Sequence, residues 1–317
     1  MDISVVAAAR EDDSPTDEPM RIAKVADRLG YGEVWVGEGP TWDSFALATA
    51  IGLATGQTAI TAGPLPVSVR DPLTVVRGAA SAAALTGRPV GVALGASSVR
   101  VVEGVHGRSR AGVSRVLAES SRAVRRLMNG EPGEEVVPGS GFRRRLSPPG
   151  GALTVAAFGD RAIAVAAEHA DRMVLDSVSP EQVRELRGRV DAAARRLGRT
   201  PPKLASWLPV AVDPAPEAVT QIRRGVVGCP TVPGYLDMFV AAGFGEAVEP
   251  ARTGADAESL PAALPPEAAT TVGLIGDAGT VRGRMAQYAA AGPDEIALVP
   301  ATAGDPGGER TLTALAA

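Results

Sequence analysis

Two stretches of small residues and prolines give this chain the means to bind a ligand through its main chain. Gly63-Pro64-Leu65-Pro66 cannot form an ordinary central sheet ladder, because each proline lacks the N–H that a ladder needs. Gly95-Ala96-Ser97-Ser98 carries little side-chain bulk. Each stretch ends a short apolar run that is typical of a strand. We therefore expect a ledge of open main chain at the carboxyl edge of a parallel sheet, where α/β proteins bind ligands.

The segment between these two stretches predicts how they come together. Asp71-Pro72 is a typical helix start, because proline's missing N–H is not needed at the first helical position and aspartate can cap the next free amides. The helix is expected to reach about Leu85 and to end at Gly87. One helix between two short apolar strands is the spacing of a parallel pair.

Strand and helix patterns alternate along the whole chain. Runs that predict strands begin near residues 3, 33, 59, 90, 153, 172, 204 and 295. Eight alternations indicate an α/β fold of the TIM (β/α)8 barrel type in one domain, residues 1–317. Repeated prolines break the rhythm between about 228 and 270, which predicts an insertion before the last strand. Two doubly wound domains are the alternative, but no Gly-x-Gly-x-x-Gly or phosphate-loop motif follows a strand.

The composition excludes several classes of protein. A chain of 317 residues with 45% hydrophobic residues can bury a large core. A net charge of −4 with both signs scattered gives no basic surface for nucleic acid or an anionic membrane. One cysteine and two histidines make a disulfide framework or a structural zinc site unexpected. No apolar run approaches about 18 residues and the start carries no basic leader, so a soluble cytoplasmic protein is expected.

Five groups of short motifs follow one another from residue 1 to about 212 and again from about 275 to 299. In order and spacing they resemble the bacterial luciferase-like oxidoreductases, and in particular the branch that depends on the deazaflavin coenzyme F420. The matching pieces are Ala26–Val36 (ADRLGYGEVWV), Arg70-Asp71-Pro72 with Ala79-Ala80-Ser81, Leu85–Arg88 leading to Gly91–Ser97, Val155–Gly159 with Ala170-Asp171, and Tyr288–Gly292.

The resemblance implies a TIM barrel with a cofactor lying across its carboxyl-terminal mouth. Many relatives have a non-prolyl cis peptide at the end of the third strand, and the matching bond here is Ala62–Gly63. The resemblance places the isoalloxazine-like ring there and the cofactor phosphate near a helix start, where free N–H groups bind anions. The cofactor-binding residues implied in this way are Ala62, Gly63, Pro64, Gly95, Ala96, Ser97, Ser98, Ala157, Phe158, Gly159 and Asp160.

Two adjacent residues at the end of the second strand differ from these relatives and determine which chemistry we expect. Several F420-dependent relatives end the second strand in Asp-His, and luciferases also need a histidine in this region, whereas this chain has Glu38 and Gly39. Oxygen chemistry of the luciferase type is therefore less expected than hydride transfer, with Glu38 as the candidate catalytic acid. The resemblance implies an F420-dependent reductase of C=C, C=N or C=O bonds. Its substrate would be a small molecule or natural product, such as a modified peptide of secondary metabolism. The alternatives are an FMN-dependent monooxygenase and a non-catalytic barrel that binds a flavin or a partner.

Aromatic residues near the predicted mouth are the candidate substrate-binding residues, namely Trp42 and Trp207. Each candidate also has a structural interpretation: Trp42 as a loop anchor, Trp207 as a core residue, Glu38 as the partner of a nearby arginine. Asp160 can act as a simple helix cap. The alanine-rich helices at 45–54 and 73–85 are the candidate interface of a homodimer.

Overall fold

The computed structural model describes residues 1–8, 10, 12, 14–39, 41–143, 146–227, 235–252 and 265–316. All strand pairs in this part of the chain are parallel. The strands are β1 Asp2–Ala7, β2 Glu33–Val36, β3 Ala59–Pro66, β4 Val90–Gly95, β5 Gly150–Ala156, β6 Arg172–Asp176, β7 Lys203–Val212, β8 Leu274–Gly276 and β9 Glu295–Pro300.

Helices follow the strands and cover the outside of the sheet. They are α1 Glu18–Arg28, α2 Ser44–Ala54, α3 Pro72–Thr86, α4 Val113–Met128, α5 Gly133–Val136, α6 Asp160–His169, α7 Pro180–Arg196, α8 Pro216–Val227, α9 Tyr235–Phe239, α10 Gly245–Arg252, α11 Pro266–Val272, α12 Ala278–Ala291 and α13 Glu309–Leu315. None of the helices in the described ranges has the length and apolar character needed to cross a bilayer.

The helix ends form where local chemistry predicts them. The Asp71 carboxylate accepts a hydrogen bond from the Thr74 amide at 3.0 Å, and Gly87 ends α3 in the left-handed region at φ +70°. Ser179 and Gln182 form a complete capping box at the start of α7. These caps explain why the predicted bounds of α3 agree with the structure to within a residue.

Eight of the strands close into a barrel. β1 pairs with β2 on one side and with β9 on the other, and the ten-residue β7 joins β6 to β9. This closure confirms the predicted TIM barrel and rules out two separate doubly wound sheets. A ninth strand, β8, pairs with the carboxyl end of β7 and lies outside the ring. Its three residues are too few for a periodic pattern, so the count of eight strands omitted it.

The described residues between α8 and β8 pack on α8 and form a separate small core with it. That core contains Phe239, Val248 and Val272, together with Ile222 of α8. Within this segment the short helix α9 continues as a wide π-helical turn over Val240–Phe244. The rest of the predicted insertion, residues 228–234 and 253–264, lies outside the described residues.

A buried ion cluster closes the amino-terminal end of the barrel. Arg172, the first residue of β6, donates to Glu33 and to Glu295, each at 2.7 Å. Burial lowers the pKa of the Arg172 guanidinium, but the hydrogen bonds and charges of Glu33 and Glu295 more than offset this effect and raise it. With this end filled, the open end of the barrel is the carboxyl-terminal mouth.

Candidate functional site

Three residues with little side-chain bulk lie near one another at the carboxyl ends of β3, β4 and β5, and we call them the floor: Pro64, Gly95 and Ala156. A Cβ atom placed on Gly95 would lie 3.2 Å from the Pro64 Cβ and 3.5 Å from the Ala156 Cβ. Gly95 is buried, whereas Pro64 and Ala156 remain partly exposed. Side-chain bulk is therefore low where these three strands end.

The main chain of β3 breaks its regular pairing directly beside the floor. The register with β4 shifts between Ala62 and Leu65, and Gly63 adopts φ +115°. A side chain on Gly63 would collide with the Ala93 carbonyl oxygen, so only glycine fits this position. The cis peptide expected at Ala62–Gly63 is absent; the cis bond is Gly63–Pro64. The amide before proline is tertiary and so accepts the cis form far more readily than the preceding one.

A cavity of about 230 Å³ opens in the mouth on the side opposite β4, and we call it the side cavity. Its polar lining comes from Arg10, Glu38, Asp176 and Ser177, and its largest aromatic wall is Trp207. The indole of Trp207 extends from β7 across the mouth toward Gly37 at the end of β2, where a Cβ would lie 4.0 Å from it. Glu38 and Trp207, predicted separately, thus line the same space.

Both oxygens of Glu38 accept hydrogen bonds. Arg70 donates to Oε1 through Nε at 2.8 Å, and the Ser44 amide donates to Oε2 at 3.2 Å. The same guanidinium also binds Asp43 at 2.6 Å. Burial works against the charge of Arg70, but its contacts with Asp43 and Glu38 raise its pKa. Arg70 therefore joins the loop after β2 to the loop after β3 and holds Glu38 in place at the cavity wall.

Trp207 is held by a stack that reaches down to the ion cluster. Its ring packs edge-on against Trp35, with centroids 5.4 Å apart and planes at 80°. The Trp35 indole N–H donates to Glu295 at 2.9 Å and to Ser4 at 3.1 Å. The buried Trp207 indole nitrogen has no hydrogen-bond partner among the described residues.

Three residues of the side cavity were missed by sequence reasoning: Arg10, Asp176 and Ser177. Ser177 is buried, adopts φ +52°, and donates from its hydroxyl to Asp176 at 3.0 Å. Arg10 donates to the Pro300 carbonyl at 2.9 Å. A usable signal did exist, because Asp176 is a polar residue at the last position of a barrel strand, where TIM barrels place functional groups.

The predicted phosphate region lies beside a second cavity of about 170 Å³, lined by Phe158, Gly159, Gln182 and Arg189 among others. Gly159 precedes α6 with no side-chain cap on the free amides. Asp160, whose charge would oppose a phosphate, is 91% exposed at its side chain and pairs with Arg189 at 2.7 Å. The free main-chain N–H groups at this helix start suit an anion. Glu185 and Asp237 also line the cavity, and Glu185 shares Arg189 at 3.5 Å.

The two predicted serines lie in the loop after β4 and are used within it. Ser98 accepts a hydrogen bond from the Val101 amide at 3.1 Å. Ser97 adopts φ +56°, and its carbonyl accepts from Arg110 at 2.8 Å. Non-glycine residues in this conformation concentrate at functional sites; Ser97 lies two residues after the end of β4, and Ser177 directly follows β6.

Three predicted residues have side chains outside these spaces. Ala62 and Ala157 are buried in the core between barrel and helices, so their side chains do not reach the mouth. Trp42 donates to the Thr16 carbonyl at 3.2 Å and lines a separate cavity near Arg10. The structural interpretation of Trp42 as a loop anchor fits this geometry.

These features fit a flat tricyclic cofactor with a phosphate. Within 4 Å, a Cβ on Gly95 would meet only Pro64 and Ala156, which are the two partly exposed floor residues. The unpartnered indole N–H of Trp207 is the kind of buried donor that a bound polar ligand can satisfy.

Comparison with solved structures shows the same fold. The F420-dependent tetrahydromethanopterin reductase of Methanopyrus kandleri is 16% identical, with a TM-score of 0.78 over 100% of this chain and 98% of that one. An F420-dependent secondary alcohol dehydrogenase in complex with an F420–acetone adduct is 17% identical, with a TM-score of 0.77 over 99% and 98%. The FMN-bound oxygenating constituent of 3,6-diketocamphane monooxygenase from Pseudomonas putida is 14% identical, with a TM-score of 0.71 over 100% and 96%.

Sequence comparison assigns the family. No curated protein matches the chain. The luciferase-like monooxygenase family model matches residues 1–295, which is most of the barrel. The chain therefore belongs to the luciferase-like monooxygenase family.

Proposed function

We propose that this protein is an F420-dependent oxidoreductase that transfers a hydride between the deazaflavin and a small-molecule or natural-product substrate, acting as a reductase of a C=C, C=N or C=O bond. The floor carries this proposal, because neighbouring residues of low side-chain bulk at the open end of the barrel would leave space for a flat ring. Structural neighbours that use F420 support it.

Each part of the cofactor has residues suited to hold it. The floor, with the main chain of Ala62, Gly63 and Ala96, would support the ring. The free amides after Gly159, the Arg189 guanidinium and the loop at Ser97-Ser98 would hold the phosphate end. When bound, reduced F420 supplies a hydride. The side cavity, on the other side of the same barrel mouth, would then bind the substrate, with Trp207 as an apolar wall that excludes water.

Glu38 remains the candidate catalytic residue, and the structure suggests how it acts. Arg70 and the Ser44 amide each bind one oxygen of Glu38, so its carboxyl group is held in a fixed position at the wall of the side cavity. In the direction of reduction it would supply a proton to the substrate, and in the direction of oxidation it would accept one.

An FMN-dependent monooxygenase is the second candidate, favoured by the FMN-bound neighbour of the same fold. Gly39 in place of the relatives' histidine weighs against it. A non-catalytic barrel that binds a flavin or a partner is a third.

Fluorescence quenching on titration of the purified protein with F420 and, separately, FMN tests the ranking. We expect F420 to bind and to be turned over with a panel of acceptors. Tight binding of FMN without binding of F420 would reverse the order, and binding without turnover over a broad panel would favour the non-catalytic barrel.

A further inference from the structure

One guanidinium at the side cavity has most of its hydrogen-bonding capacity unused. Arg10 lines the cavity and donates from one terminal nitrogen to the Pro300 carbonyl at 2.9 Å. Its buried Nε donates to no group in the part of the chain that the structure describes. A guanidinium carries five N–H donors, and buried donors without a partner are rare in folded proteins. Arg10 is therefore available to bind a further acceptor.

Two acidic residues act on the charge of Arg10 but bind other groups. Asp12 accepts a hydrogen bond from the Ser14 amide at 3.0 Å, and Glu18 accepts one from the Gly307 amide. Burial lowers the pKa of the Arg10 guanidinium, while the charges of Asp12 and Glu18 act in the opposite direction. The described residues thus give Arg10 no carboxylate partner at hydrogen-bond distance. An arginine in this state suits an oxyanion, which its planar fork can bind through two parallel hydrogen bonds.

The two carboxylates that line the same cavity have partners of their own. Arg70 and the Ser44 amide bind Glu38, and the Ser177 hydroxyl donates to Asp176 at 3.0 Å. Neither carboxylate needs the ligand as a partner. Like charges in a partly enclosed space repel more strongly than in bulk water. The two carboxylates therefore favour an oxyanion of single charge, such as a carboxylate, over a phosphate dianion.

Buried hydrogen bonds on both sides of Arg10 hold it in position. Gln221 of α8 is buried; its side-chain nitrogen donates to Asp12 at 2.8 Å, and its side-chain oxygen accepts from the Thr302 amide at 2.7 Å. Asp12 lies two residues after Arg10, and Thr302 lies two residues after Pro300, the residue that accepts from Arg10. Gln221 thereby joins the chain after β1 to the chain after β9. A guanidinium held in this way loses less conformational freedom when it binds a ligand.

The rest of the described lining is largely apolar and includes Trp207, Ile222 and Val299. A ligand of this cavity is thus expected to combine an apolar body with one polar group. We infer that the side cavity binds a substrate whose carboxylate is held by the Arg10 guanidinium and whose apolar body lies against Trp207. This substrate class rests on the proposed function of the same site.

Binding of matched six-membered rings tests the preference for a carboxylate without any cofactor. The probes are cyclohexanecarboxylate, cyclohexanone and cyclohexylammonium. The chain has three tryptophans, so ¹⁵N labelling gives three indole resonances, and Trp207→Phe assigns the one at the cavity. We expect cyclohexanecarboxylate to shift the Trp207 resonance saturably, with an affinity at least about tenfold above that of cyclohexanone. Equal or tighter binding of the ketone or the ammonium ion, or no shift of Trp207 by the carboxylate, would overturn the inference.

Substitutions of Arg10 identify the group that binds the carboxylate. Arg10→Met should weaken binding of cyclohexanecarboxylate at least about tenfold and change that of cyclohexanone less than about twofold. Arg10→Lys keeps the charge without the planar fork and should restore part of the affinity. Arg282→Met is the matched control, because Arg282 also donates to a main-chain carbonyl, that of Ala314 at 2.6 Å, but on the exposed side of α12.

Equal losses for the carboxylate and the ketone in Arg10→Met contradict the inference, as does a loss in the Arg282→Met control of the same size. Thermal melts verify that each variant is folded. If Arg10→Met does not fold, Arg10→Lys and the probe preference of the wild type still decide the question.

A turnover assay distinguishes this inference from the function on which it rests. Oxidation of reduced F420 is followed with 3-oxocyclohexanecarboxylate and with its methyl ester. The hydride would go to the ketone carbon and a proton to the ketone oxygen, which gives the hydroxy acid or its ester. A lower KM for the acid than for the ester, lost in Arg10→Met, supports both proposals. Equal KM values, or turnover of the ester alone, refute the carboxylate site and leave F420 dependence standing. A binding preference for the carboxylate without oxidation of F420 by any acceptor leaves the carboxylate site standing and removes the proposed reaction.

Discussion

The guanidinium carbon of Arg172 lies 3.9 Å from the ring centroid of Trp35, so the ion cluster at the closed end of the barrel contacts the aromatic stack that ends at the side cavity. The charge of Arg172 is shared by Glu33 and Glu295, and its flat face covers an indole. One side chain thereby stabilises the barrel interior and orients a wall of the candidate site.

Arg172→Met is expected to destabilise the protein by about 3 to 5 kcal/mol, because it leaves two carboxylates in the barrel interior without their cation. Urea unfolding at pH 7 measures the change. The surface variant Arg115→Met is the control and should cost under about 1 kcal/mol. If Arg172→Met lowers the free energy of unfolding no more than the control does, the buried ion cluster contributes little to stability.

Ala156→Leu is expected to weaken cofactor binding at least about tenfold, because the larger side chain would rise from the floor into the space of the ring. Ala289→Leu on the exposed side of α12 is the matched control and should leave binding unchanged. Fluorescence quenching with F420 measures both. If both variants bind F420 with equal affinity, the cofactor ring does not lie on the floor.

The ion pair of Arg189 and Asp160 predicts opposite effects of two substitutions at the phosphate end. Arg189→Gln removes a cation and should weaken binding of F420, whereas Asp160→Asn removes an anion and should strengthen it, each about three- to tenfold. The deazaflavin that lacks the phosphate should bind all three proteins alike. If the two substitutions change the affinity equally for cofactor with and without the phosphate, the phosphate does not bind beside Arg189 and Asp160.

Asp27 is expected to make stability depend on pH in the acid range. Burial raises the pKa of its carboxyl, but hydrogen bonds from Thr58, Gln57 and Gly56 outweigh this and hold it well below its usual value. A pKa depressed in the folded state gives stability that is fully present above the unfolded value, about 3.9, and is lost as pH falls toward the folded value. Unfolding free energies from pH 2 to 7 should show this loss in the wild type. Asp27→Asn should be about 1 to 2 kcal/mol less stable at pH 7 and should lack that part of the acid dependence.

We propose that the chain forms a homodimer through the outer faces of α2 and α3. α2 carries no charged residue, and Leu53 and Leu85 are 67% and 65% exposed. Leu53→Lys should shift the mass measured by light scattering from dimer to monomer. Leu197→Lys, at another exposed leucine, should not. A monomeric wild type would contradict the proposal directly.

Local patterns were sufficient to predict the barrel and most of its elements. Strand periodicity, the Asp71-Pro72 start, the Ser179 capping box and the end of α3 at Gly87 depend on residues close in sequence, whose preferences act before the chain folds. Two floor residues, Pro64 and Gly95, were also accessible from sequence, since glycine and proline at a strand end lower side-chain bulk wherever that strand lies. The third, Ala156, was not predicted, because the expected residue was its neighbour Ala157, whose side chain is buried in the core. The strand of three residues, β8, gave no such pattern.

Only the closed barrel decided which residues face one another across the mouth. Glu38, Asp176 and Trp207 come from β2, β6 and β7 or their ends, and ring closure brings them to one cavity. Their partners likewise depend on distances between loops: Arg70 reaches Glu38 from the end of β3, and Arg189 reaches Asp160 from the next helix. Sequence determined the scaffold and its bare ledge because both are local properties. The charge of the side cavity and the hydrogen-bond partners of its residues depend on groups that are far apart in the chain. Only the tertiary structure therefore determines them.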